Sequence, residues 1–362
     1  MTMRQTMGQL LARLRAEGLA TDGDTEAVRS ALVAGEQEEM PIYLRTLVGL
    51  GAWVATILLL VFLYSLHLVD DKRSAIAFGV VLVGGAAWLR RRSSGDFTRH
   101  AAVATSFAGQ GLILMAVDML WRHDAVPFVV AALMSIVMIV LVPDPLHRFI
   151  SAAIAVGATA AALVALHVSH ALDITALLTV FASAWVWRVD LRHRSDQLTE
   201  MLAPVGYGLV VGLFGICLFG TFFSIIDGAR DHAPAFGAVT TDGIAVILAV
   251  FVMTILREHD TSPSSVVGAT ILVIIALFAG LTLKSPGILI GVSMLLLGFD
   301  RRNLVLIELA TAFLIVFGAA NYYNLDLTLL EKSGILVASG VLCLLARVLL
   351  SRRPLAREEA AP

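Results

Sequence analysis

Glu308 is the one carboxylate set clearly inside an apolar stretch of this sequence and away from its outer end. If that stretch becomes a helix near Asn303, five residues of rise place the carboxyl roughly 7.5 Å from the helix end. An ionisable group at that depth is costly, and by default it indicates proton or cation handling. The other reading is an ion pair at the membrane rim, with Arg301 or an arginine of another helix. Gln110, between Gly109 and Gly111, lies deep in an apolar stretch, and Asp118 follows eight residues later on nearly the same helical face. Such a face can line a transport path. A lone glutamine among glycines also serves as interhelical glue, worth about 1 kcal/mol.

His167 and His170 stand one helical turn apart and could offer two metal nitrogens, but spacing fixes no third ligand. With His67, His123, His232 and several aspartates they sit at block ends, where polar residues belong in any case. No Gly-x-x-x-x-Gly-Lys phosphate loop, Gly-x-Ser-x-Gly elbow, His-Glu-x-x-His or Cys-x-x-Cys-His occurs. Cys217 and Cys343 both lie in apolar runs, which speaks against a disulfide framework or thiolate metal site. The expectation is a non-enzymatic chain with no cofactor, metal, nucleotide or nucleic acid.

The elements that must position these residues follow from composition. Of 362 residues 58% are apolar and 15% charged, against about 25% charged in an average soluble chain. A secreted enzyme, a nucleic-acid binder and a disordered chain are excluded. The apolar residues fall in twelve blocks, at about 46–69, 74–89, 101–120, 125–142, 149–168, 171–187, 201–226, 237–256, 265–283, 286–299, 303–323 and 334–350. They are continuously apolar rather than alternating, which favours helices over barrel strands. The second and tenth are short for a bilayer and need interfacial residues or local thinning.

Charge gives an independent reading. With the N-terminus inside, only Lys72, Arg73, Arg122, Arg230, Lys284 and Lys332 fall on outer loops, and the other 20 of 26 basic residues fall on inner segments. That bias places both termini in the cytoplasm and requires an even number of spans. Residues 1–41 read as a cytoplasmic amphipathic hairpin, 42–350 as the transmembrane bundle and 351–362 as a cytoplasmic tail. Parallel punctuation of the fourth to sixth and tenth to twelfth blocks suggests two six-helix halves of one orientation, 42–200 and 201–350.

Glycines mark close packing in the seventh block, where Gly208 and Gly212 form a small-xxx-small pair; a mobile or broken transport helix is the alternative. Tyr322, Tyr323, Trp88, Trp185 and Trp187 read as interfacial belts. The connection after the eleventh block alternates Leu325, Leu327 and Leu329, as a segment resting on the bundle would. With Tyr322, Tyr323, Asp326 and Lys332 it is a candidate partner contact.

That run, Asn321-Tyr-Tyr-Asn-Leu-Asp-Leu-Thr-Leu-Leu-Glu-Lys-Ser-Gly334, with Leu297-Gly-Phe-Asp-Arg-Arg302 and Leu47-Val-Gly-Leu-Gly-Ala-Trp53, resembles the bacterial domain-of-unknown-function family 4401 of polytopic membrane proteins. The likeness covers most of the chain after about residue 40. It implies an inner-membrane protein whose partners are the lipid bilayer and a second membrane protein carrying a Gly-Asp-Tyr motif. It implies no activity. Two functions follow as expectations, a non-enzymatic subunit or scaffold of an envelope complex and a secondary transporter or lipid-handling carrier.

Overall fold

The computed structural model describes residues 42–92, 95–121, 123–192, 196–226, 236, 238–258, 265–282, 286–324 and scattered positions from 330 to 344. Among them there is no strand, and eleven helices follow in order. They are α1 (Ile42–Ser65), α2 (Lys72–Arg92), α3 (Asp96–Leu120), α4 (Ala125–Leu141), α5 (Pro145–Ala165) and α6 (Ala171–Arg192). Then come α7 (Asp196–Ile226), α8 (Ala238–Glu258), α9 (Val266–Leu281), α10 (Pro286–Asp300) and α11 (Leu304–Asn324). Continuous apolar runs take this form because a chain in lipid must pair its backbone groups within each segment.

Six helices, α2, α3 and α5 to α8, are long and apolar enough to cross a membrane. The second block is therefore longer than its apolar core, since Lys72 and Arg90 to Arg92 extend it to 21 residues. The remaining apolar helical stretches, 50–65, 125–141, 268–280, 286–300 and 304–319, are shorter. Twelve full crossings stay an expectation: the twelfth block lies largely outside the described residues, as do the segments read as hairpin, 1–41, and tail, 351–362. On the outside of α1, Leu50, Val54, Ile57, Leu58, Val61 and Phe62 are all more than half exposed, which suits hydrocarbon as the surrounding solvent.

Capping chemistry sets the helix ends. Asp144 Oδ1 accepts from the backbone N–H of Leu146 and His147 at 2.9 and 3.1 Å, and Pro145 occupies the first helical position, where its missing N–H costs nothing. Asn303 caps α11 through Leu306 N–H at 3.1 Å. Three helices end alike: His67, His167 and Arg302 adopt φ of 55°, 54° and 51°. The next N–H then reaches back five residues, as Leu68 does to Leu63, Val168 to Leu163 and Asn303 to Gly298.

Packing pairs α2 with α3, α5 with both α4 and α7, α6 with α7, and α10 with α11. Small residues permit close approach. On α7, a Cβ at Gly208 would stand 2.3 Å from Phe149 O and one at Gly212 2.9 Å from Val156 Cβ, so both glycines face α5. The larger core joins α6, α7, α8, α10 and α11 around Leu213, Ile244, Leu289, Leu306 and Phe313. Phe214 and Phe313 stack there at 3.9 Å between centroids. A smaller core, Leu63, Val69, Ala75, Leu112 and Ala116, joins α1 to α3.

The bundle has two unlike ends. At one, Arg90, Arg99 and Asp144 meet, Arg188 donates to Thr254, and Tyr207 donates to Asn303 Oδ1 at 3.0 Å. At the other, Thr240 donates to Asp173, and the loop carrying His123 and Asp124 lies beside the one carrying Leu166 and His167.

Candidate functional site: a buried arginine–aspartate–histidine cluster

The densest polar cluster among the described residues lies where α2 ends and α3 and α5 begin. The Nε of Arg90, from α2, and the Nε of Arg99, from α3, both donate to Asp144 Oδ2, at 2.9 and 2.8 Å. The Asp144 side chain has no solvent exposure, while those of Arg90 and Arg99 are 22% and 36% exposed. Since Oδ1 already accepts two backbone N–H groups, four donors converge on one carboxylate. Burial alone would push the Asp144 carboxyl upward. The His147 N–H, the Arg99 charge and the two guanidinium hydrogen bonds outweigh it and hold the carboxyl below its ordinary value.

In the first turn of α5 stands His147, fully buried. Its Nε2 lies 2.9 Å from Ser106 Oγ of α3, and its Nδ1 lies 3.2 Å from Ser151 Oγ. Gln110 Nε2 donates to Ser106 Oγ at 3.3 Å and approaches His147 Nε2 at 3.4 Å. Hydroxyls donate or accept, so either neutral tautomer of His147 satisfies both ring nitrogens. Phe107 stacks on the imidazole at 4.6 Å and Trp53 stacks on Phe107 at 6.3 Å. Imidazole, hydroxyls and amide thus form one hydrogen-bonded group in the apolar interior, joined to the Asp144 carboxylate only through the backbone N–H of His147. Chemically it can tie α2, α3 and α5 together, and it can relay a proton between hydroxyl and imidazole.

Of the residues singled out in sequence, Gln110 belongs to this cluster and is 4% exposed. Asp118, on the same helix, is exposed near the other end. Glu308 is exposed on the outside of α11, and Arg301 lies against Asp300 at 3.0 Å rather than against Glu308. Tyr322 and Tyr323 fall in the last turn of α11, while Asp326 and Lys332 lie outside the described residues. Trp187 departs from the belt reading: Trp88 and Trp185 are exposed, but Trp187 is 5% exposed and packs edge-on against Tyr207. The reason is Gly206, whose missing side chain leaves the space the indole fills.

At the opposite end, His67 and His170 each engage the aspartate three residues on, Asp70 at 2.5 Å and Asp173 at 2.8 Å. The described residues contain no group of three or more metal-ligating side chains. Sequence reasoning missed His147, Arg90, Arg99 and Asp144 as a site. The signal was Asp144-Pro145-Leu146-His147, a capping aspartate before a first-position proline that fixes where α5 starts and puts His147 inside it.

No curated protein and no solved structure matches the chain. The family profile described as a domain of unknown function, DUF4401, matches residues 41–353, and with most of its length so covered, this helical membrane protein belongs to that family.

Proposed function

We propose that the chain is a non-enzymatic subunit or scaffold of a bacterial envelope membrane complex, held in the inner membrane with both termini in the cytoplasm. The observation that carries this reading is the saturation of Asp144. The deepest charged group of the arginine-bearing end is spent on four donors from α2, α3 and α5, as a helix clamp requires. The excess of basic residues at the inner ends of the blocks supports the orientation. The resemblance described above supplies the expected partner, a second membrane protein with a Gly-Asp-Tyr motif.

The test is a pull-down of the tagged chain from its own membranes in mild detergent or native nanodiscs, with mass and stoichiometry measured. A stoichiometric membrane partner is expected, with cross-links to residues 1–40 or 321–334. A monomer or homodimer without any protein partner overturns the proposal.

One observation favours a second reading, a proton-coupled secondary transporter or lipid-handling carrier. His147 lies in a continuous series with Ser106, Gln110 and Ser151 inside the bundle, and buried ionisable groups in transmembrane helices mark proton paths in many carriers. His147→Phe keeps a ring against Phe107 while removing the relay. Proteoliposomes in which wild type dissipates a pH gradient and this variant does not would favour the carrier. Equal rates in both, and equal rates for Glu308→Gln, would exclude a proton path through either residue.

A further inference from the structure

Arg90 and Arg99 each commit a single nitrogen to Asp144. Both use Nε, and both use it on Oδ2, so the two guanidiniums are fixed side by side on one oxygen. Among the described residues neither makes another hydrogen bond, which leaves the four Nη amino groups of the pair uncommitted. Asp144 cannot draw them inward, because Oδ1 is filled by the N–H groups of Leu146 and His147.

The surroundings are cationic. Arg91 and Arg92 continue α2 and are exposed, with Arg92 lying over the Trp88 ring at 4.8 Å. Arg148, in the first turn of α5, donates from Nε to Ile139 O at 3.1 Å. His100 follows Arg99 on α3. Against these five arginines the same segments hold only Asp96 and Asp144 as carboxylates. Trp88 and Phe97 are more than half exposed beside the arginines, and Val80 and Val81 are exposed about two turns further along α2. An indole at the end of a spanning helix marks the headgroup level of a bilayer.

We propose that Arg90 and Arg99, anchored by Asp144 and flanked by Arg91 and Arg92, bind the phosphate of an anionic phospholipid whose acyl chains lie along the exposed apolar face of α2. Guanidiniums suit this role because their planar forks meet phosphate oxygens two at a time. Basic recesses between transmembrane helices at the membrane boundary recognise such headgroups. The net positive charge attracts an anion, and the exposed valines and aromatics beside it select a lipid over a soluble phosphate. Asp144 acts here as a positioning residue: it fixes the two guanidiniums without touching the ligand. The site goes beyond the subunit reading and does not depend on it, since a chain purified without any protein partner can be assayed for lipid.

The experiment uses the full chain, delipidated in detergent. Retention of phosphatidylglycerol and phosphatidylcholine is compared by native mass spectrometry, with inorganic phosphate as the soluble arm of a thermal-shift series. Phosphatidylglycerol should be retained preferentially and should raise the unfolding temperature, whereas inorganic phosphate at equal concentration should not. Arg91→Gln and Arg92→Gln, which leave the Asp144 contacts intact, should each weaken retention about fivefold. Arg99→Lys, which keeps the charge on Asp144 but loses one fork, should weaken it while the protein stays folded. Arg257→Gln, at the end of α8, should leave it unchanged. Equal retention of the two lipids overturns the proposal, as does equal weakening by Arg257→Gln. Stabilisation by inorganic phosphate matching that by phosphatidylglycerol assigns the site to a soluble anion and overturns the lipid.

Discussion

Gly79 and Gly109 each hold the other's carbonyl oxygen where a β-carbon would stand. A Cβ on Gly79 would fall 2.8 Å from Gly109 O, and one on Gly109 would fall 2.6 Å from Gly79 O. The backbones of α2 and α3 therefore meet directly, and this contact sets the separation at which Arg90 and Arg99 reach a common carboxylate. Gly79→Ala or Gly109→Ala should cost about 1–3 kcal/mol of stability by overpacking. Gly84→Ala and Gly111→Ala, with nothing within 4 Å of the added carbon, should be neutral or stabilising. Thermal unfolding of the four variants in one detergent checks the contrast, and equal effects at all four would refute the close crossing.

Asp144 makes the stability of this end depend on pH. Its carboxyl is held below the ordinary value of 3.8 in the folded protein. The stabilisation is therefore complete at neutral pH and lost progressively as pH falls below about 5, through the unfolded and then the folded value. Asp144→Asn should lower neutral-pH stability by roughly 3 kcal/mol, the low end for breaking a buried pair, because both arginines keep some contact with water. It should also flatten the acid limb. A variant as acid-sensitive as wild type would place the responsible carboxylate elsewhere.

The series below Asp144 should be unequal along its length. Ser106 meets His147 at 2.9 Å, whereas Gln110 makes only 3.3 and 3.4 Å contacts. Gln110→Leu should cost about 0.6 kcal/mol, the average for an interhelical hydrogen bond in a membrane. His147→Leu removes the imidazole partner of the buried Ser151 and Ser106 hydroxyls, leaving Ser106 only the 3.3 Å contact from Gln110, and should cost about 1–3 kcal/mol. The reverse order in a chemical or thermal denaturation series would make Gln110 the organiser.

His167 ends α5 with φ of 54°, a conformation that costs an L-residue about 1–2 kcal/mol and glycine very little. His167→Gly should accordingly raise stability by about 1 kcal/mol, and His167→Val should lower it. If the glycine variant is less stable than wild type, the His167 side chain contributes more through its contacts than its backbone loses.

The helical class and the order of the first eleven elements were readable because apolar runs this long have one backbone solution in lipid. Gly208 and Gly212 announced close packing by their spacing, although nothing in one sequence says that α5 is the neighbour. The cluster was harder to see. Setting the fifth block at 149 excluded Asp144 to Arg148 as a polar connection, yet Asp144 and Pro145 begin α5 and carry His147 into its first turn. Arg90 and Arg99 counted only as positive charge, because their convergence on Asp144 is set by the α2–α3 crossing and by chain separations of 54 and 45 residues. Glu308 stood out by its depth along the sequence, but depth does not tell which way a helix faces, and α11 turns it outward.

Those separations give the clamp a schedule during synthesis. At about 5–20 residues per second, the segment from Arg90 to Asp144 takes roughly 3–11 s to emerge from the ribosome. Through that interval Arg90, and Arg99 once it is made, have no Asp144 to pair with. Asp144 arrives last, so the contact that joins the ends of α2, α3 and α5 closes only after both earlier helices have been made.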